Sequence, residues 1–344
     1  MTNTKLQLFN DDCLNTLKTL PDNSVDLILT DPPYFRVKKD AWDNQWPNVE
    51  AFLSWLDNVS AECWRVLKPS GTLYLFCGSA LASDTEILLR ERFNILSHII
   101  WAKPSGPWRR MRKEDLRSFF PSTERILMCE HYGSEGFAKG SSQYHTKCID
   151  LKKQVFAPLI EYFKQAKETA GISSKQINDV TGTQMASHWF SYSQWKLPNE
   201  TQYKQLQTLF NQHLPRSHGE LVNSCSELNQ DYQGLLRQHD DLKQEYKALR
   251  RPFNVTKDVP YTDVWQFKPV EYYPGKHPCE KPQELLRHII QSSSREGELI
   301  LDCFMGSGST GKAALALNRR FIGIEYDADI YRQTEQQFTE LTQK

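Results

Sequence analysis

The sequence predicts an α/β protein: a mostly parallel sheet covered by helices on both faces and interrupted by a helical insertion. Three observations predict it. Short apolar runs of strand length alternate with stretches of helical periodicity from Leu6 to Glu130. Near Cys148 that alternation gives way to about 100 residues of helical periodicity and Gln-rich polar stretches. It returns at Asp263–Phe267 and continues to Leu341. The expected division is therefore residues 1–148 and 256–344 as the two parts of one α/β domain, with 149–255 as the insertion.

Leu6–Phe9 reads as a strand and Cys13–Leu20 as a helix ended by Pro21. Val25–Thr30 is a compact apolar strand, stopped by Pro32 and Pro33. Phe52, Leu53, Leu56, Val59, Cys63, Val66 and Leu67 recur at helical spacing, so 48–67 is expected to be a core-facing helix. Thr72–Cys77, Ile95–Trp101 and Arg125–Cys129 are further strands. Beyond the insertion come a strand at Glu298–Phe304, a helix at Ser309–Leu317, a strand at Phe321–Glu325 and a closing helix at Ala328–Leu341.

Composition sets the outer bounds. The 42 Lys and Arg balance the 42 Asp and Glu, so any nucleic-acid contact must come from local patches. No run approaches the roughly 18 apolar residues that span a bilayer, and Met1–Lys5 leads into a strand pattern without a signal-peptide stretch. The eight cysteines are scattered with no C-x-x-C pair. Neither a disulfide framework nor a metal site is expected, and a reducing cytoplasm is the expected location.

Two motifs carry chemistry. Leu301-Asp302-Cys303-Phe304-Met305-Gly306-Ser307-Gly308-Ser309-Thr310-Gly311-Lys312 runs from strand through loop to helix. Glycines suit a backbone that turns sharply and meets a ligand at a helix N-terminus. Gly306, Gly308 and Gly311 fit a dinucleotide fingerprint, with Glu325 about 20 residues on. Gly306 to Lys312 also fits a phosphate loop, except that Ala313 stands where a magnesium-binding Ser or Thr belongs. A third reading is S-adenosylmethionine, and a fourth is tight strand–helix packing alone. Position favours S-adenosylmethionine: the unit comes last in the chain, and Asp302 is unwelcome beside a pyrophosphate but suits a cationic amino acid.

The second motif, Asp31-Pro32-Pro33-Tyr34, sits at the end of the Val25–Thr30 strand. Ligands of open α/β sheets bind outside the carboxyl ends of strands, so both motifs should face one crevice. The tetrapeptide resembles an amino DNA methyltransferase motif, which implies an exocyclic amino nitrogen as the target, a poor nucleophile because its lone pair is delocalised into the ring. A carboxylate at Asp31 and the carbonyl of Pro32 can accept its two N–H bonds and favour a pyramidal nitrogen. The prolines stiffen those acceptors, and Tyr34 offers a face on which an extruded base stacks.

The tetrapeptide resembles the signature of the amino DNA methyltransferases, (Asp/Asn/Ser)-Pro-Pro-(Tyr/Phe), whose Asp form is typical of adenine N6 enzymes. Its position ahead of the glycine loop, with a long insertion between, is similar to the β group of that family, where the gap holds a target-recognition domain. The resemblance implies Asp31, Pro32, Pro33 and Tyr34 as catalytic residues and S-adenosylmethionine as methyl donor. Asn10-Asp11-Asp12-Cys13-Leu14 resembles the family's Gly-Asp-Cys-Leu, which implies Asp12 on the cofactor's adenine, with Asp11 as the alternative. His277-Pro278-Cys279-Glu280-Lys281-Pro282 resembles His-Pro-x-x-Lys-Pro, which implies Lys281 and Pro282 near the methionine carboxylate. By the same resemblance Glu325 takes the ribose hydroxyls, Asp302 and Phe304 frame the methionine and adenosine ends, and Gly306, Gly308 and Thr310 form the loop. Pro278-Cys279 also suggests a cytosine C5 nucleophile, but that reading leaves Asp-Pro-Pro-Tyr unexplained.

For DNA, Lys103, Arg109, Arg110, Arg112, Lys113 and Arg117 crowd one segment with Trp101 and Trp108. Lys38, Lys39, Trp42 and Trp46 follow the catalytic motif as a candidate lid, with packing the alternative for the tryptophans. Ser173–Thr181, Gly182 and Gln184–Ser191 read as a helix-turn-helix, with Gln184, Ser187 and His188 facing base edges. Leu221, Leu228, Leu235, Leu242 and Leu249 recur every seven residues, as an arm within the insertion or a homodimer coil. The expectation is methylation of N6 of a flipped adenine in double-stranded DNA. The alternatives are cytosine N4 and, in another class, a non-catalytic helix-turn-helix regulator. No obvious nuclease motif occurs, which suits either a solitary enzyme or one with a companion nuclease.

Overall fold

Val25–Thr30, the strand with the most continuous apolar run before a proline stop, is buried along its whole length and pairs on both edges. The computed structural model describes residues 5–37, 43–104, 112, 114, 117–130, 141–192, 194–213, 228–255 and 261–342; for 141–147 and 342 it describes the backbone alone. The chain divides into two compact units, Met1–Gly140 with Arg251–Lys344, and Ser141–Arg250. No helix among the described residues is long and apolar enough to cross a membrane.

In chain order the first unit contains β1 (Leu6–Asn10), α1 (Cys13–Thr19), β2 (Val25–Thr30), α2 (Val49–Val66), β3 (Leu67–Cys77), α3 (Ala82–Arg90), β4 (Asn94–Ala102) and β5 (Thr123–Glu130). The second unit contributes α4 (Ser141–Val155), α5 (Ala157–Ala170), α6 (Ser174–Thr181), α7 (Ala186–Trp189), α8 (Glu200–His213) and α9 (Tyr232–Leu249). The first then resumes with β6 (Val264–Trp265), α10 (Gln283–Ser293), β7 (Leu299–Asp302), α11 (Ser309–Ala316), β8 (Arg320–Glu325) and α12 (Ala328–Thr342).

The eight strands form one sheet in the order β1-β8-β7-β2-β3-β5-β4-β6. All neighbours are parallel except those of β5, which runs antiparallel to β3 and β4. Alternation along β2 divides the core. Val25 and Ile28 join Leu17, Phe52, Leu56 and Val59 on one face, while Leu27 and Leu29 join Leu286, Ile289 and Phe338 on the other. Helix α11 carries the chain from β7 to β8 on one side, and α2 carries it from β2 to β3 on the other. The β7–β2 junction is therefore a topological switch point, where the crevice at the strand carboxyl ends opens.

Several local expectations need correction. Helices α3 and α10 were not anticipated, and the expected strand at 263–267 is only Val264–Trp265. Trp46 is no lid residue: it is buried, with ring centroids 4.6 Å from Trp55 and 5.1 Å from Phe52. Trp101 is likewise core, its Nε1 donating to the Phe267 carbonyl at 2.8 Å.

In the second unit the helices enclose Phe163, Ile177, Trp189, Trp195, Tyr203 and Leu206. Ser173 caps α6 in a reciprocal box with Gln176, and Gly182 ends it at φ +64°. The expected recognition helix shrinks to the single turn of α7, because Trp189 and Phe190 are drawn into the core. Gln184 and Ser187 are exposed and His188 is half-buried. Gln184 accepts from the Asn178 amide at 3.1 Å. The heptad run is also shorter than expected. Asp231 caps α9 by accepting from Gln233 and Gly234, so Leu228 precedes the helix. Lys38, Lys39, Trp42, Trp108, Arg109, Arg110, Lys113, Leu221 and Cys225 lie outside the described residues.

Candidate active site

Four adjacent parallel strands end on acidic residues at one edge of the sheet. Glu325 closes β8, Asp302 closes β7, Asp12 follows β1 and Asp31 follows β2. A cavity of about 1190 Å³ opens there, and all four carboxyl residues line it.

Asp302 is 3 % exposed. Its Oδ1 accepts from the Thr30 hydroxyl at 3.0 Å and the Phe304 amide at 3.1 Å, and Thr30 Oγ1 accepts from the Cys303 amide. Burial pushes its carboxyl up to about 6 despite those hydrogen bonds. Glu325 accepts from the Gly306 amide at 2.8 Å and the Asp327 amide at 2.9 Å, which ties β8 to the glycine loop. Burial raises this carboxyl too.

Asp11 and Asp12 separate by their partners. The Asp11 carboxylate accepts from the Asp12 amide, Asn15 and Thr16. Asp12 caps α1 through Oδ1 alone, accepting from Leu14 at 2.8 Å, and its Oδ2 has no hydrogen bond among the described residues. Phe304 faces the cavity with its ring centroid 5.6 Å from that of Trp55.

The loop glycines serve packing as well as approach. Gly308 has φ +72°, and a Cβ there would lie 2.6 Å from Phe338 Cε2 and 2.8 Å from Thr334 Cγ2 on α12. The Lys312 ammonium donates to the Ser307 carbonyl at 2.8 Å and to Gln337. It is engaged by the protein itself, unlike a lysine poised for phosphates.

At the β2 end, Tyr34 donates its hydroxyl to Asp31 Oδ1 at 2.6 Å, with Glu124 Oε2 the alternative acceptor at 3.1 Å. The backbone here is held by Asp43, whose buried carboxylate accepts from the Tyr34 amide at 2.9 Å. Gly78 leaves room for the Tyr34 ring, since a Cβ there would lie 3.2 Å from Tyr34 Cδ2. Lys281, 8 % exposed, pairs its ammonium with Asp31 Oδ2 and stands 3.5 Å from Glu124 Oε2. Lys103 pairs with Glu124 Oε1. Burial pushes Asp31 above the usual carboxylate range, Lys281 pulls it back and Glu124 pushes it up again. Burial also works against Glu124, yet Lys281 and Lys103 outweigh it and hold that carboxyl at about 2.

Lys281, expected near the cofactor's methionine carboxylate, lines the same cavity as Asp302 and pairs with Asp31, and Pro282 is the N-cap of α10. Lys103 is not a free basic residue but the partner of Glu124. Arg112 is exposed, and Arg117 donates to the Glu114 carbonyl at 2.9 Å. Sequence reasoning missed Glu124, Asp43 and Gly78, which no local motif marks. Among the described residues no three His, Cys, Asp or Glu converge as a metal site.

The donor set fits S-adenosylmethionine. An adenine amino group, a ribose diol and an amino-acid ammonium all offer hydrogens, and Asp12, Glu325 and Asp302 supply acceptors on three successive strands. The same three carboxylates would repel a pyrophosphate.

Comparison with known proteins agrees. Over 327 residues the chain is 28% identical to the DNA adenine methyltransferase YhdJ of Escherichia coli K12, covering 94% of this chain and 79% of that protein. It is 23% identical over 350 residues to the Type II methyltransferase M2.MboI of Moraxella bovis, covering 97% and 88%. The solved PvuII DNA methyltransferase, a cytosine-N4-specific enzyme, shares the fold with a TM-score of 0.52 at 14% identity, covering 97% of this chain and 86% of that one. The profile of the DNA methylase family matches residues 25–336, so the chain belongs to that family of S-adenosylmethionine-dependent enzymes.

Proposed function

We propose that this methyltransferase modifies N6 of an adenine flipped out of double-stranded DNA, with Asp31 as the acceptor that prepares the amino group. The observation that carries the reading is the placement of Asp31 beside the Tyr34 ring, at the edge that also carries the three cofactor carboxylates. The E. coli relative's adenine activity supports the choice of base.

The bound cofactor supplies a methyl group already activated on a sulfonium. Asp302 would take its amino-acid ammonium, Glu325 its ribose hydroxyls and Asp12 its adenine amino group, with Phe304 against the adenosine. Gly306, Gly308 and Thr310 shape the loop beneath. Asp31 and the Pro32 carbonyl would accept the two N–H bonds of the target amine, which leaves its lone pair free to face the methyl donor. Stacking on Tyr34 contributes about 1–3 kcal/mol. A hydrogen bond to a charged group adds roughly 1.5–3 kcal/mol. Together they offset the few kcal/mol of base flipping.

The helical unit is the source of sequence choice in this reading, and the exposed Gln184 and Ser187 are its first candidates for base contact. Phosphate contacts from Arg112 and its basic neighbours supply affinity without sequence choice. A cytoplasmic location, where DNA and the cofactor meet, goes with this assignment.

The test incubates the protein with tritiated S-adenosylmethionine and unmethylated genomic DNA, then resolves the digested nucleosides by mass spectrometry. Labelled N6-methyladenine that vanishes in Asp31→Ala is expected. An N4-methylcytosine peak would move the assignment to the cytosine enzymes. No label in any base would overturn DNA as the substrate.

A further inference from the structure

Both carboxylate oxygens of Asp31 already accept a hydrogen bond before any substrate arrives. Oδ1 holds the Tyr34 hydroxyl and Oδ2 holds the Lys281 ammonium, so a target amine that binds Asp31 in this buried site competes with them. Displacing Lys281 into an apolar pocket would leave a buried unpaired charge, which is costly. Its ammonium is already walled by the rings of Phe76 and Tyr34, at 5.0 and 5.6 Å from their centroids.

Glu124 resolves the conflict. It sits on β5, the strand that runs antiparallel to both of its neighbours, and its Oε2 lies 3.5 Å from Lys281 and 3.1 Å from the Tyr34 hydroxyl. Both groups that occupy Asp31 therefore have a second acceptor on the same oxygen. The other oxygen, Oε1, is held by Lys103, which keeps Glu124 charged and aimed.

We propose that Glu124 is a positioning residue that receives Lys281 and the Tyr34 hydroxyl when the target amine takes their place on Asp31. This exchange moves no covalent bond and keeps every buried charge paired throughout. It rests on the reading of Asp31 as the acceptor of the amine.

The test compares Glu124→Gln and Glu124→Asp with the intact enzyme in single-turnover assays. Glu124→Gln keeps the size and can still accept from Tyr34, but it cannot take over the ammonium. Its methyl-transfer rate should fall at least about tenfold, the loss of one charged hydrogen bond, with cofactor Kd within about twofold. Glu124→Asp, which keeps the charge, should recover most of the rate. The acid limb of the rate profile should also move to lower pH in Glu124→Gln, since the charges facing Asp31 are Lys281, Glu124, Tyr34 and Asp302, and one anion is lost. An unchanged rate, or a fall that Glu124→Asp does not repair with an unmoved acid limb, would overturn the proposal.

A second measurement avoids mutation altogether. In a crystal structure with S-adenosylhomocysteine and the DNA duplex that the activity assay identifies, Lys281 should lie nearer Glu124 than Asp31. Lys281 still seated on Asp31 would overturn the exchange. If Asp31→Ala remained active, the reading of Asp31 would fail first, so the two failures are separable.

Discussion

The Tyr34 hydroxyl donates to Oδ1 of Asp31 at 2.6 Å. In the proposed reaction the hydroxyl competes with the substrate amine for Asp31, and the ring is the part of Tyr34 on which the base stacks. Tyr34→Phe should keep kcat within about threefold, whereas Tyr34→Ala should lose about 10- to 100-fold through lost stacking. Asp31→Ala should lose about 10²-fold or more. Steady-state kinetics on the identified duplex checks all three, and a dead Tyr34→Phe would assign the hydroxyl itself to the reaction.

The proposed role of Asp302 as acceptor of the cofactor's ammonium links cofactor binding to pH. Its folded-state carboxyl is raised from 3.8 to about 6, so ionising it is harder in the folded protein than in the unfolded chain. Its contribution to stability is fully present below 3.8 and is lost as pH rises through about 6, a change on the order of 3 kcal/mol. Binding a cationic amino acid has the opposite demand and needs the ionised form. Cofactor affinity should therefore fall about tenfold per pH unit below about 6. Asp302→Asn should raise the Tm of the cofactor-free protein at pH 7.5 and weaken cofactor binding in calorimetry.

Two glycines with positive φ separate backbone strain from crowding. Gly182 has open space where a Cβ would go, whereas at Gly308 a Cβ would meet Phe338 at 2.6 Å. Gly182→Ala should cost only the left-handed strain, about 1–2 kcal/mol. Gly308→Ala should add an overpacking penalty of about 1–3 kcal/mol. Urea denaturation gives both values, and equal costs would mean that α12 moves aside freely.

What the sequence made legible was local. The strand Val25–Thr30 declares itself by six residues between a polar start and a Pro-Pro stop, and its observed ends match. Asp31 and the glycine loop each bring their chemistry within a few residues of chain. Glu124 does not. It lies one residue ahead of the strand expected at Arg125–Cys129 and carries no motif of its own; only the folded sheet brings Lys103, just after β4, and Lys281, just before α10, to it. The family resemblance implies a place for Lys281 near the methionine carboxylate but not its ion pair with Asp31, which spans 250 residues of sequence. The helical periodicity of Gln184–Ser191 predicts a longer second helix than the structure has. Core burial of Trp189 and Phe190 ends it after one turn.

The leucine repeat leads to a last prediction. A coil between two copies needs its leucines on one exposed stripe, evenly along the helix. Here the stripe is graded: Leu235 is fully buried, Leu242 is partly buried against the same core, and Leu249 is 45 % exposed. Phe156, Trp195 and His239 extend that packing, with ring centroids within 6 Å of one another. These contacts favour an arm folded onto its own unit. Leu235→Ala should then destabilise the helical unit by about 2–5 kcal/mol. Leu249→Ser should stay within about 0.5 kcal/mol of the parent protein. Neither should change the mass measured by light scattering. If Leu249→Ser converted a dimer to a monomer, the exposed end of α9 would be an interface between copies.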